Sequence, residues 1–417
     1  MEMVPLHLPG TLRGKPAPES GMERTAARIQ EIDALRGFAL LGICLVNAQV
    51  IAGVYGLPTG PFAVGDHVAA WLVTALCTMK FYLLFSFLFG YSFTLQIRAA
   101  DRDGVPFARR HGRRLLGLFL IGAAHAVLLY PGDILMTYAA LGLVLTAVRR
   151  LRARTALRLA CLIIAFLTAV FLVIGLLTVV LAKPDPGAAT DLAARDTAAY
   201  RGGPLDIIHA NVGLYREMAG GAILYGGHLF AAFLIGFAAG KHRVLEEPAR
   251  YTVWAKRILG LGALIGLPGS MFMAMCENGP LDDRFAYIGR AFGILTAPAL
   301  TAAYVCGLLL LMGRARFGRR LRDMLAPAGR MALTNYLLQS AVLAFVFTGY
   351  GFALYGRVGP GVLALGCLVL YGTQLLVARH VMARTRYGPA ELLLRRITRG
   401  SSARGSERAL GQGRAAT

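Results

Sequence analysis

In GAAHAVLLYPGDILMTY, residues 122 to 138, an imidazole and a carboxylate, His125 and Asp133, lie eight positions apart across a YPGD turn. A carboxylate in reach of a histidine fixes the ring's tautomer and raises its basicity, as a general base acting on a hydroxyl or amine requires. Asp133 also suits the N-terminal amides of a following helix, and His125 by itself suits a neutral ring bonded to a backbone carbonyl. The reading places His125 in the outer half of its segment and Asp133 at the outer mouth. EIDALRGFALLGICLVNAQ, residues 31 to 49, holds Asp33, Arg36 and Asn47 in an otherwise apolar run. On a helix Arg36 and Asn47 are three turns apart on one face, about 16 Å along the axis, with Asp33 one turn earlier. Either Asp33 and Arg36 pair at a membrane surface and Asn47 bonds a neighbouring helix, or the face lines a polar path through the bundle.

Lys80 interrupts CTMKFYLLFSFLFGYSF, Arg290 falls about one turn inside an apolar segment, and GRMALTNYLLQS carries Arg330, Thr334, Asn335 and Gln339. Together with Asp33 and Arg36, residues 80, 290, 330, 335 and 339 are the candidate substrate-binding groups. Their bland alternatives are snorkelling for Lys80 and interhelical hydrogen bonding for the amides. His67 and His228 are weaker candidates. The six cysteines stand far apart, five of them in apolar runs, so neither a metal site nor a disulfide framework is expected.

These residues need a scaffold, and composition names its class. Of 417 residues 56% are hydrophobic and 16% charged, which describes an all-α polytopic bundle with lipid as solvent. Ten apolar segments are expected as spans: 36 to 54, 68 to 97, 115 to 130, 134 to 148, 157 to 182, 222 to 240, 257 to 275, 285 to 312, 326 to 348 and 359 to 379. Alternate connections, starting from the N-terminus, hold 35 Lys and Arg against 6 in the others. That asymmetry puts both termini in the cytoplasm. It also accounts for the net charge of +22 without nucleic acid, for which no basic patch is set in a soluble fold. Residues 1 to 30 read as a disordered cytoplasmic leader, 31 to 381 as the transmembrane bundle and 382 to 417 as a basic cytoplasmic tail. In the external connection, 183 to 221, residues 204 to 218 suit an interfacial amphipathic helix over a site.

IDALRGFALLGICLVN, KFYLLFSFLFGYSF, LIGAAHAVLLYPGDIL, GRMALTNYLLQS and RYGPAELLLR, in that order from about 30 to 397, resemble the YeiB-like family of bacterial inner-membrane proteins, whose C-terminal half is a domain of unknown function. The D-x-x-R-G…N opening is more distantly similar to transmembrane acyltransferases. Some of those enzymes have, eleven positions after the Arg, a His thought to act in catalysis; here that position is Asn47, and an amide is no base near neutral pH. The resemblance implies acyl-CoA as donor, its phosphates held by Arg36 and Arg330, with His125 as base, Asp133 as its orienting partner and Asn47 as oxyanion donor. The acceptor would be an envelope glycan or lipid at the outer face, with no metal involved; the oligomeric state stays open. A transporter or flippase of a small or lipid-linked substrate, and a non-catalytic membrane protein, are the alternatives.

Overall fold

A computed structural model describes residues 21–54, 63–104, 106–181, 186–246 and 248–399. Fourteen α-helices and no strand occur among them: α1 Gly21–Ile51, α2 Val64–Leu76, α3 Lys80–Asp103, α4 Phe107–Leu128, α5 Leu135–Ala147, α6 Ala153–Leu181, α7 Pro186–Arg201, α8 Pro204–Lys241, α9 Thr252–Glu277, α10 Ala286–Met312, α11 Ala315–Arg330, α12 Ala332–Phe347, α13 Pro360–Arg384 and α14 Pro389–Arg399. The expected leader lies outside the described residues over 1–20, and helix begins at Gly21. Of the basic tail, 400–417 lies outside them, while α14 is folded.

All ten apolar segments are helical, but fewer can cross a bilayer on their own. Seven stretches are long and apolar enough, and α11 with α12, bent by 75° at Met331, would make an eighth. Two expected spans fall short for separate reasons. Helix α5 has 13 residues, about 20 Å against a hydrocarbon core of about 30 Å. In α4 the apolar part begins only after Arg109, Arg110, Arg113 and Arg114. The two form a short hairpin, and its YPGD turn is buried: Tyr130 is 6% and Asp133 6% exposed. Asp133 is therefore enclosed rather than set at an open outer mouth. Tyr130 packs with Cys44 and Ala48 of α1, Leu343 and Phe347 of α12, and Leu363 of α13.

Two further expectations change. The second segment breaks at Cys77–Met79 into α2 and α3, with Met79 at a φ of 70°, a left-handed conformation that costs a non-glycine residue energy. Residues 204 to 218 form no separate surface helix but the first turns of the 38-residue α8, about 57 Å long. Its N-terminal portion leans on the hairpin, where buried Asn211 donates from Nδ2 to the Val127 carbonyl at 3.0 Å. Within the core, α3 and α8 cross so closely that a Cβ on Gly90 would stand 2.0 Å from the Phe233 carbonyl oxygen, and one on Gly236 2.0 Å from that of Phe87. Backbone contact of this kind is what small residues provide in lipid, where hydrophobic association between helices is weak.

Candidate functional site

His125 and Asp133 meet. The turn between α4 and α5 brings Nδ1 to 2.8 Å from Asp133 Oδ1, with both side chains almost wholly buried. The second carboxylate oxygen accepts from the Met136 N–H at 2.9 Å, in the first turn of α5. Asp133 thus fills both roles that its sequence allowed, helix cap and histidine partner. With Nδ1–H donating to the carboxylate, the lone pair of the neutral ring lies on Nε2. Among the described residues, Nε2 is buried and has no hydrogen-bond partner. The Tyr336 ring of α12 lies 4.9 Å from the imidazole and that of Tyr130 6.2 Å away. A buried base with one orienting carboxylate and one free nitrogen can take a proton from a hydroxyl or amine and return it to a leaving group.

The basic end of the bundle holds a second group. Arg36 donates from Nη1 to Asp33 Oδ1 at 2.8 Å and from Nη2 to Ser92 Oγ at 2.5 Å. Arg330 lies within electrostatic reach of Asp33, and Arg36 and Arg110 within that of Arg114. Arg114 was not singled out in the sequence; its Nε is shielded and without a hydrogen-bond partner among the described residues. The signal was there, because Arg114 precedes His125 by the same eleven residues that separate Arg36 from Asn47. Arg114 and His125 consequently share one face of α4, about 16 Å apart. The Asn47 side chain is half-buried and makes no hydrogen bond with the described residues.

The remaining candidates form two separate polar clusters. Lys80, with no exposed surface, donates from Nζ to the Thr74 carbonyl at 3.2 Å, and its own carbonyl accepts from Thr301 Oγ1. Nearby Asn278 donates to Thr74 Oγ1 at 2.8 Å, and Arg290 pairs with Glu277 at 3.1 Å, tying α2, α9 and α10 together. Lys80 does not snorkel; the end of α2 accepts its hydrogen bond. Asn335 donates to the Ala328 carbonyl at 3.0 Å across the break between α11 and α12. Gln339 donates to Gln374 Oε1 at 2.8 Å, and Gln374 to the Asn335 carbonyl at 3.0 Å. These are the interhelical bonds that the amides' spacing allowed.

The break at Met331 replaces the single helix expected over 326 to 348, and a residue not foreseen completes it. Glu391 of α14 accepts from the Leu333 N–H at 2.7 Å, the Thr334 N–H at 3.1 Å and Thr334 Oγ1 at 2.6 Å. A helix start leaves its first amides without intrahelical partners, and a carboxylate there meets both those donors and the positive end of the dipole. Arg330 Nη2 donates to the Arg386 carbonyl at 3.1 Å beside it. Two motifs far apart in sequence, GRMALTNYLLQS and RYGPAELLLR, are one structural joint.

A crevice of about 640 Å³ lies between α3, α8, α9 and α10. His228 lines it, whereas His125, Asp133 and Asn47 do not. His228 Nδ1 is 3.0 Å from the Tyr82 hydroxyl. No group of three or more His, Cys, Asp or Glu side chains placed to hold a metal occurs among the described residues.

Residues 239–401 match the family described as Protein of unknown function (DUF418). Across the chain, relatives include Uncharacterized protein YxaH of Bacillus subtilis (strain 168), 30% identical over 399 residues, which cover 90% of this chain and 95% of that one. Uncharacterized protein YeiB of Escherichia coli (strain K12) is 27% identical over 392 residues, 88% of this chain and 95% of its own. A 39.9 kDa protein in the amylase 3' region of Bacillus acidopullulyticus is 29% identical, with 89% and 94% covered. None of these names carries an acyltransferase activity. With its helices of membrane-crossing length and a relative matched over 95% of its length at 30% identity, this chain belongs to the YeiB-like, DUF418 family of membrane proteins, whose function is unknown.

Proposed function

We propose that the protein is an acyltransferase of the bacterial cytoplasmic membrane, carrying an acyl group from acyl-CoA on the basic, cytoplasmic side to a hydroxyl or amine of an envelope glycan or lipid at the outer face. The observation that carries this reading is the enclosed His125–Asp133 pair with Nε2 unpartnered. His125 Nε2 takes the acceptor's proton as its oxygen or nitrogen attacks the thioester carbonyl. The C–S bond breaks, and the proton passes to the departing CoA sulfur. Arg36, Arg114 and Arg330 suit the donor's phosphates, as guanidinium forks do. Tyr336 is a polar neighbour of the imidazole.

The test is the loss of labelled acetyl-CoA and other short-chain acyl-CoA on purified protein in nanodiscs, with envelope extract as acceptor. His125→Gln and Asp133→Asn are expected to lower the rate by about 10²–10⁴-fold. Equal rates in wild type and His125→Gln, or no turnover of any donor, would end this reading.

A second reading, transport of a small or lipid-linked substrate, draws on the 75° break at Met331. Transporters build substrate sites at interrupted helices. Substrate flux into proteoliposomes with no bond broken would select it.

A further inference from the structure

We propose that the crevice between α3, α8, α9 and α10 is a binding site for one anionic phospholipid, drawn from the leaflet on the bundle's basic face. Its lining follows a gradient that fits such a molecule and little else. At the rim stand Lys256 and Arg314, both exposed and neither in an ion pair among the described residues. Tyr251 and Trp254 flank them; aromatic rings of this kind favour the headgroup level. The acid at the rim, Glu31, sits 3.7 Å from Arg322 and leaves the two cations in excess. Deeper, the wall is Leu83, Phe87, Ile235, Val305 and Leu309.

Of the polar side chains at depth, Thr301 donates to the Lys80 carbonyl and His228 shares a hydrogen bond with Tyr82 through Nδ1, which leaves His228 Nε2 as the one buried polar atom at that depth without a partner among the described residues. A soluble metabolite would find few polar contacts below the rim, whereas an acyl chain needs none. Length agrees as well. On α10 the lining runs from Pro298 to Leu310, about 18 Å at 1.5 Å per residue, and Arg314 stands just past the end of that helix. One leaflet with its headgroup region is about 20–22 Å thick. The site is separate from the His125–Asp133 pair and does not depend on what that pair catalyses.

Trp254 is a built-in probe, since the chain has two tryptophans and the other, Trp71, is on α2. In a Trp71→Phe background, detergent-solubilised protein is titrated with phosphatidylglycerol or phosphatidylcholine brominated on the acyl chains. The expected result is saturable quenching of Trp254 by a single phosphatidylglycerol per chain, with phosphatidylcholine markedly weaker. Lys256→Ala and Arg314→Ala should each raise the half-saturating concentration about fivefold, the effect of one basic residue near an anionic headgroup. Ala302→Phe, which places a ring in the crevice, should abolish the saturable phase while circular dichroism shows the helical content unchanged. Non-saturable quenching, equal for both lipids and indifferent to Ala302→Phe, would mean that chains merely bathe the outer surface, and the proposal falls. It falls equally if inorganic phosphate displaces the lipid at millimolar concentration, since that marks a surface ion site.

Discussion

A Cβ on Gly122 would stand 2.6 Å from Asp133 Oδ2 and 2.8 Å from the Met136 nitrogen. Glycine at that position is what lets α4 lie against the first turn of α5 closely enough for Asp133 to reach both His125 and the amide. Gly122→Ala should therefore push the carboxylate away and lower stability by about 1–3 kcal/mol, the usual cost of overpacking. A melting temperature in detergent within error of wild type would contradict this account. The pairing of His125 with Asp133 was legible from two residue types and a turn of the right length. That Nε2 is left over was not, because it depends on what α12 and α8 bring to the ring's far side. Helical spacing puts Asn47 on the Arg36 face, while spacing along one helix says nothing of the neighbour which that face meets.

Among the elements, the joint of α11, α12 and α14 has the sharpest consequence. The apolar run over 326 to 348 reads as continuous, since Arg330 and Pro327 near its start do not forbid a helix that begins there. Tertiary structure interrupts it because Glu391 can satisfy the new helix start from outside. Glu391→Ala should expose two amides and the Thr334 hydroxyl and cost about 1–3 kcal/mol. It should also speed amide hydrogen exchange at Leu333 and Thr334. Unchanged protection there would show that the cap does not hold the break. The hairpin of α4 and α5 teaches the same lesson by length: each segment is apolar enough to register as a span, yet α5 is too short to cross alone, so the YPGD turn closes inside the molecule.

For the whole molecule, the distribution of charge is the firmest guide to orientation. With 35 Lys and Arg in one set of connections and 6 in the other, the termini are expected on the cytoplasmic side. Single cysteines placed at positions 410 and 357 of a cysteine-free variant check this: a membrane-impermeant thiol reagent added to intact cells should label 357 and spare 410. Labelling of 410 would invert the topology and with it the proposed direction of acyl transfer.

By itself, the sequence determined the solvent, the helical class, the approximate position of every apolar helix and the pairing of His125 with Asp133. Those properties are encoded locally, in hydropathy over one or two turns and in the reach of a short hairpin. Tertiary structure alone decided that the pair is sealed, that Arg114 joins Arg36 at the basic end, that the helix at Met331 breaks against Glu391, and that a lipid-sized crevice opens beside α10. Each of these depends on residues from helices distant in sequence meeting at one point, and the periodicity of a single helix carries no information about its neighbours.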